Sequence, residues 1–170
     1  VVSYVNANPH LKRKPEEYQE LDKKLNTPID VRNFRFSNGD CYSGTWLKGK
    51  KNGFGTMTYV DGSAYEGNWV EDKKEGNGTF TSANEDTSYE GEWKNDLRHG
   101  KGKEIFVNGD EFEGEFVEGK KHGEGIMYHE NGECYKETWE NDELKNREQL
   151  EDHQKELKKK YSDENQENYE

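Results

Sequence analysis

The 170-residue chain is 28% hydrophobic and 36% charged, with a formal net charge of -12. That is too little apolar material for a thick globular core, and an acidic chain repels phosphate backbones, which argues against a nucleic-acid partner. No apolar run approaches the roughly 20 residues of a membrane span, while ten Tyr, seven Phe and four Trp set the chain apart from disordered sequences, which are poor in aromatics.

Residues 1–33 form an N-terminal arm carrying Pro9, Pro15 and Pro28. Glu16 to Leu25 is expected to form a short helix, with Pro15 suited to its first turn. Tyr18, Leu21 and Leu25 share one face of it. That face either packs on the first repeat of the next segment or serves as a docking arm for another subunit.

Residues 34–139 are periodic. Leading aromatics stand at Tyr42, Tyr65, Tyr89, Phe112 and Tyr135, spaced 23, 24, 23 and 23 residues apart. The first four open an aromatic-x-Gly-x-aromatic motif: Tyr42, Gly44, Trp46; Tyr65, Gly67, Trp69; Tyr89, Gly91, Trp93; Phe112, Gly114, Phe116. The fifth copy is decayed, with Glu137 between Tyr135 and Trp139. A fixed period means one supersecondary unit copied in a row, each copy leaning on its neighbours. Within the motif, aromatic and charged residues alternate, which predicts a strand with one aromatic face. In the third copy Asn95 to Gly100 reads as a turn and Gly102 to Val107 as a second strand. Asn108-Gly109 then signals a tight hairpin turn with both central residues at positive φ. Asn38-Gly39, Asp61-Gly62 and Asn131-Gly132 hold the same slot, and the extra residue near Asn84 to Asp86 predicts a wider loop there. Recurrent glycine pairs such as Gly53/Gly55 and Gly100/Gly102 are expected to leave room for a ring to lie over bare backbone.

The expected fold is mainly β: an elongated single-layer antiparallel meander of stacked hairpins, about ten strands long, with short N-terminal and longer C-terminal flanking helices. The half repeat Phe34 to Asp40 supplies its first strand. The array is expected to end after one strand at Trp139, leaving an edge to be covered. Residues 140–161 are charged and rich in helix formers, and predict a C-terminal helix with a thin stripe of Leu144, Leu150 and Leu157, extended by Tyr161. Such a helix caps the sheet, pairs with a partner helix or stays solvated. Residues 162–170 read as an acidic disordered tail.

Catalytic and metal-binding constellations are not evident. His10, His99, His122, His129 and His153 have no companions at ligand spacing, and the recurrent Gly-x-Gly opens no helix in a βαβ unit. No enzyme activity, cofactor or metal is expected. Cys41 and Cys134 occupy the same slot four repeats apart, roughly 38 Å at two strands per repeat. A disulfide needs about 7 Å or less between Cα atoms, so they are expected to be free thiols, which suits a reducing, cytoplasmic compartment.

The tandem motif, with its Lys/Arg turn, His-Gly-x-Gly and Asn-Gly, resembles the MORN repeat (membrane occupation and recognition nexus) over residues 34–139. The resemblance implies a curved single-layer sheet with an aromatic groove, and a non-catalytic scaffold or adaptor in a cytoskeletal or ciliary axonemal assembly, as in radial spoke head proteins. The expected partners are protein subunits, with no small-molecule substrate. By period-two alternation the groove is lined by Tyr42, Trp46, Tyr65, Trp69, Tyr89, Trp93, Phe112, Phe116 and Trp139. An alternative is a peripheral membrane tether that binds anionic lipids or phosphoinositides. It would use a basic turn ledge of Lys50, Lys51, Lys73, Lys74, Arg98, Lys120 and Lys121. Glu71, Asp72, Glu75, Asp96 and Glu118 interleave with that ledge and blunt it.

Overall fold

The computed structural model describes residues 29–150, with side chains from residue 33 onward. The expected N-terminal helix, the 151–161 part of the expected C-terminal helix and the acidic tail lie outside these residues.

Eleven antiparallel strands form one open sheet in sequence order. They are β1 (Ile29–Arg35), β2 (Cys41–Leu47), β3 (Lys50–Thr58), β4 (Ala64–Val70), β5 (Lys73–Thr81), β6 (Ser88–Lys94), β7 (Leu97–Ile105), β8 (Glu111–Val117), β9 (Lys120–Tyr128), β10 (Cys134–Glu140) and β11 (Glu143–Gln149). At about 4.8 Å per strand the stack is roughly 48 Å long. The single-layer meander is therefore as expected, with no helix among the described residues.

The two kinds of turn are the reverse of the expectation. The tight two-residue turns sit at Lys48-Gly49, Glu71-Asp72, Asn95-Asp96, Glu118-Gly119 and Asn141-Asp142, and all ten residues have positive φ, the mark of a type I′ hairpin. Leu97 to Gly100, expected in a turn, is therefore strand. At the Asn-Gly slots only the glycine is left-handed, as at Gly39 and Gly109. These are three-residue loops in which Asn38 Oδ1 accepts the Asp40 N–H and Asn108 Oδ1 accepts the Asp110 N–H. The loop at Ala83 to Asp86 is one residue wider, as expected. There Ser82 Oγ accepts the Thr87 N–H and donates to Asp86.

The array does not stop at Trp139. Glu143–Gln149, expected to be helix, is β11, and it completes a fifth hairpin with β10. All seven residues of β11 are exposed. Their helix propensity, a fraction of a kcal/mol each, loses to the backbone hydrogen bonds offered by the open edge of β10.

The glycines serve two purposes, of which the sequence suggested one. Gly44 faces Gly55, Gly67 faces Gly78, Gly91 faces Gly102 and Gly114 faces Gly125 across the hairpins. The ring of Tyr42, Tyr65, Tyr89 or Phe112 lies over each pair. A Cβ at Gly91 would stand 2.5 Å from Gly102 Cα and 2.7 Å from the Tyr89 hydroxyl. Gly53, Gly76, Gly100 and Gly123 instead have positive φ and lie where the ladder register shifts within each hairpin. They are bulge residues.

Candidate partner-binding face

The aromatic face is built from the strand alternation upward. Tyr42, Trp46, Tyr65, Trp69, Tyr89, Trp93, Phe112 and Phe116 all lie on it, and all are buried. Among the described residues no second sheet covers them; they cover one another edge-on. Each leading ring sits between the second ring of its own repeat and that of the next. Tyr65, for example, lies 5.1 Å from both Trp69 and Trp93, with interplanar angles of 89° and 81°. Such T-shaped pairs add about 0.5–1.5 kcal/mol each beyond area burial. The polar ends are satisfied as well, apart from the Trp46 indole N–H. The hydroxyls of Tyr42, Tyr65 and Tyr89 donate to the carbonyls of Thr45, Asn68 and Glu92, and the Trp69 and Trp93 indoles donate to Gly55 and Gly78. Burial pushes the Tyr89 phenol up to about 12.

A row of cations closes the face. Lys51 Nζ lies 4.3 Å from the Trp69 ring centre and 5.9 Å from that of Tyr42. Lys74 lies among four rings, 4.8 Å from Trp93, 5.0 Å from Tyr65, 5.3 Å from Phe80 and 5.6 Å from Tyr59. Arg98 stacks 5.0 Å from Phe116, and Lys121 lies 4.5 Å from Trp139. Each cation thus bridges its own repeat and the next. Burial pulls Lys51 and Lys74 below their ordinary value, with Asp72 and Asp96 pulling the other way.

These contacts correct both site expectations. The groove residues do share one face, but eight of the nine are buried, so they form the spine of the sheet and not an open floor. Trp139 alone is half-buried. A second rank of half-buried rings reaches the surface: Phe34, Phe36, Tyr59, Phe80, Phe106 and Tyr135. The basic ledge splits by strand parity. Lys51, Lys74, Arg98 and Lys121 fold onto the rings, while Lys50, Lys73 and Lys120 point to the opposite side and are exposed. Lys50 is paired with Glu71 at 3.3 Å and Lys73 donates to Asn95 at 3.1 Å.

One set of residues escaped the sequence reading. Asp72, Asp96 and Asp142 each accept the backbone N–H of Lys51, Lys74 and Lys121, at 2.8, 2.9 and 2.7 Å. Their own N–H groups donate back to the carbonyls of the same lysines. This two-way clamp ties each tight turn to the preceding hairpin. Gly119 fills the slot in the fourth copy and has no carboxylate to offer. There the Arg98 guanidinium donates to the Gly119 carbonyl at 2.8 Å instead. The clue in the sequence is an Asp 21 or 22 residues after each of Lys51, Lys74 and Lys121, against Gly119 placed 21 residues after Arg98.

The carboxylates on the aromatic face are confined to its far half. Glu104, in the slot of Met57 and Phe80, is ion-paired with Arg98 and lies 4.0 Å from Lys121. Glu137 is fully buried; it holds Arg147 at 2.5 Å and accepts the Trp139 indole N–H at 2.9 Å. His129, in the turn that joins β9 and β10, pairs at 2.7 Å with Asp110, in the turn that joins β7 and β8. The described residues hold no group of three His, Cys, Asp or Glu placed to bind a metal. Cys41 and Cys134 form no disulfide.

The family model of the MORN repeat matches residues 42–64, 65–87, 89–111 and 112–134. No curated protein matches the chain. Among solved structures it is similar to the TCP domain of SAS-4 (dCPAP) of Drosophila melanogaster in complex with a proline-rich motif of Ana2 (dSTIL). The identity is 15% over 71% of this chain and 90% of that one, with a TM-score of 0.22, too poor a superposition to carry an argument.

Proposed function

This chain belongs to the MORN-repeat family, and on that premise we propose that it is a non-catalytic scaffold or adaptor subunit that binds protein partners along its aromatic face. The observation that supports this is the layering of that face. Its motif rings are buried, while Tyr59, Phe80, Phe106, Tyr135 and Trp139 remain half-buried beside cations. Aromatic rings that reach the surface are enriched at protein interfaces, as is Arg. A cytoplasmic cytoskeletal or axonemal assembly is the setting that the family resemblance favours. The membrane tether has weaker support, because four of the seven ledge residues are folded onto rings and Lys50 is paired with Glu71.

The test is site-specific photo-crosslinking in the native cell from Phe80 and Phe106, with Phe54 on the opposite face as control; Phe54 is 57% exposed. Discrete protein adducts from the first two positions and few from Phe54 are expected. Adducts from Phe54 alone would put the working surface on the other side of the sheet. Salt-sensitive co-sedimentation with anionic vesicles, lost on changing Lys50 and Lys73, would favour the tether.

A further inference from the structure

The aromatic face is electrically divided, and the division selects a partner. In the far half each cation has a counter-ion: Glu104 serves Arg98 and Lys121, and Glu137 serves Arg147. In the near half, β2 to β6, the strand residues on this face are aromatic, glycine or Met, apart from Lys51 and Lys74. No carboxylate among the described residues lies within ion-pair distance of either ammonium. Asp72 and Asp96 are close by, but their Oδ1 atoms are aimed at the backbone N–H groups of the lysines. Two half-buried ammonium groups therefore have ring contacts but no ion pair among the described residues, although Asp40, Asp72 and Asp96 lie near enough to act on Lys51. A cation–π contact is worth about 0.5–2 kcal/mol and leaves the outer side of the ammonium free to donate.

We propose that the β2–β6 half of the aromatic face takes an acidic protein segment whose carboxylates pair with Lys51 and Lys74, and that Glu104 and Glu137, by already engaging the cations of the β7–β11 half, leave that half without the same attraction. This deepens the partner-binding reading and rests on it. Lys51 and Lys74 are the second residues of the alternate strands β3 and β5, so their stems are about 9.6 Å apart. Acidic residues seven apart on a helix are separated by about 10.5 Å, and they would lie along the stack with apolar neighbours against Tyr59 and Phe80. The chain's net charge of -12 does not forbid this. At physiological salt the Debye length is about 8 Å, so an incoming carboxylate responds to the local face more than to the distant acids.

The probe is a synthetic helical peptide of about 20 residues with glutamates seven apart, titrated into the full chain by fluorescence anisotropy at two salt concentrations. Saturable, salt-sensitive binding is expected. Lys51→Gln with Lys74→Gln should weaken it about tenfold or more, while Lys50→Gln with Lys73→Gln should leave it within about twofold. Lys51→Arg with Lys74→Arg, which keeps both charges, should retain binding, and circular dichroism checks that each variant keeps its sheet. Equal loss from the two Gln pairs, or equal binding of a peptide with lysines in place of glutamates, would overturn the proposal. Binding that appears only after Asp163, Glu164 and Glu167 are changed to Gln would make this chain's own tail the occupant, and would overturn it too. If the peptide fails while photo-adducts from Phe80 and Phe106 persist, the acidic selectivity is wrong and the partner-binding reading stands.

Discussion

In the hairpin β4–β5, Tyr65 lies over the facing glycines Gly67 and Gly78 and is held edge-on between Trp69 and Trp93. In the terminal hairpin β10–β11 the first of those glycines is replaced by Glu137, and among the described residues no further repeat supplies a second ring. Arg147 on β11 answers both changes. It pairs with the Glu137 carboxylate at 2.5 Å and places its guanidinium 4.5 Å from the Tyr135 ring centre. The interior repeat is thus incomplete by the nature of its motif: every leading ring needs its neighbour's second ring. The end of the array replaces that missing ring with a planar cation, the side chain able to stack and to form a forked ion pair at once. The other end is closed by rings, with Phe34 edge-on to Trp46 at 5.6 Å. The Trp46 indole finds no acceptor there among the described residues, whereas Trp69 and Trp93 find Gly55 and Gly78.

The sharpest way to break this comparison is to remove a ring from each region. Trp69 is 2% exposed and contacts rings on both sides. Trp69→Ala should cost about 3–5 kcal/mol and disrupt stacking along the array. Trp139 has a ring neighbour only at Phe112 among the described residues, and Trp139→Ala should cost clearly less. Chemical denaturation measures both, and equal losses would mean that the terminal hairpin is held as firmly as the interior ones. The burial of Trp69 also means that its removal tests stability before it tests partner binding.

Next comes the glycine slot itself. Gly91→Val would drive a side chain into Gly102 Cα and the Lys101 carbonyl, backbone that cannot turn aside, at about 3 kcal/mol. Arg147→Ala should cost a comparable amount, about 3 kcal/mol, because it leaves Glu137 buried without its counter-ion. Glu137→Gly restores what the interior repeats carry and leaves Arg147, which is 40% exposed, able to reach water. It should cost about 1 kcal/mol. Thermal melts rank the three, and a Glu137→Gly loss as large as that of Arg147→Ala would show that the carboxylate itself, not its pairing, closes the sheet.

The spine of the interior was legible because rings four residues apart with a glycine between them, repeated at a fixed period, leave a single-layer sheet little choice of face. The row of cations was legible only as a row. Lys50 and Lys51 are adjacent, so which one covers the rings depends on strand parity, and parity depends on the two-residue turn and the bulge at Gly53. The Asp clamps were invisible for a related reason: an Asp in a turn ordinarily reads as solvated, and only the stacking of hairpins brings Asp72 to the Lys51 backbone. β11 was lost because Glu143 to Gln149 has the composition of a helix, and an edge strand exposed on both sides needs no apolar pattern.

The clamps provide a smaller, interior test. Asp96 combines a carboxylate on the Lys74 N–H with a left-handed backbone, φ 70°. Asp96→Ala loses the hydrogen bond and keeps the strain, and should cost about 1–2 kcal/mol. Asp96→Gly loses the same bond but relieves the backbone, as Gly119 does in the next copy, and should cost less than half as much. Equal losses in urea would mean that the turn's handedness contributes little.

The smallest effect is expected where the same chemistry as the terminal pair occurs on the opposite face. Lys103 and Glu111 form an ion pair at 2.6 Å, shorter than many, yet their side chains are 43% and 37% exposed. Glu137 is fully buried and Arg147 reaches it from one side. Water and salt screen the first pair and are kept from the carboxylate of the second. Glu111→Gln should therefore change stability by less than about 0.5 kcal/mol, and molar salt, with a Debye length near 3 Å, should remove what difference there is. The Arg147→Ala loss should survive molar salt. If the Glu111 effect instead matched that of Arg147, or if both faded together, burial would not be what separates the end of this array from its surface.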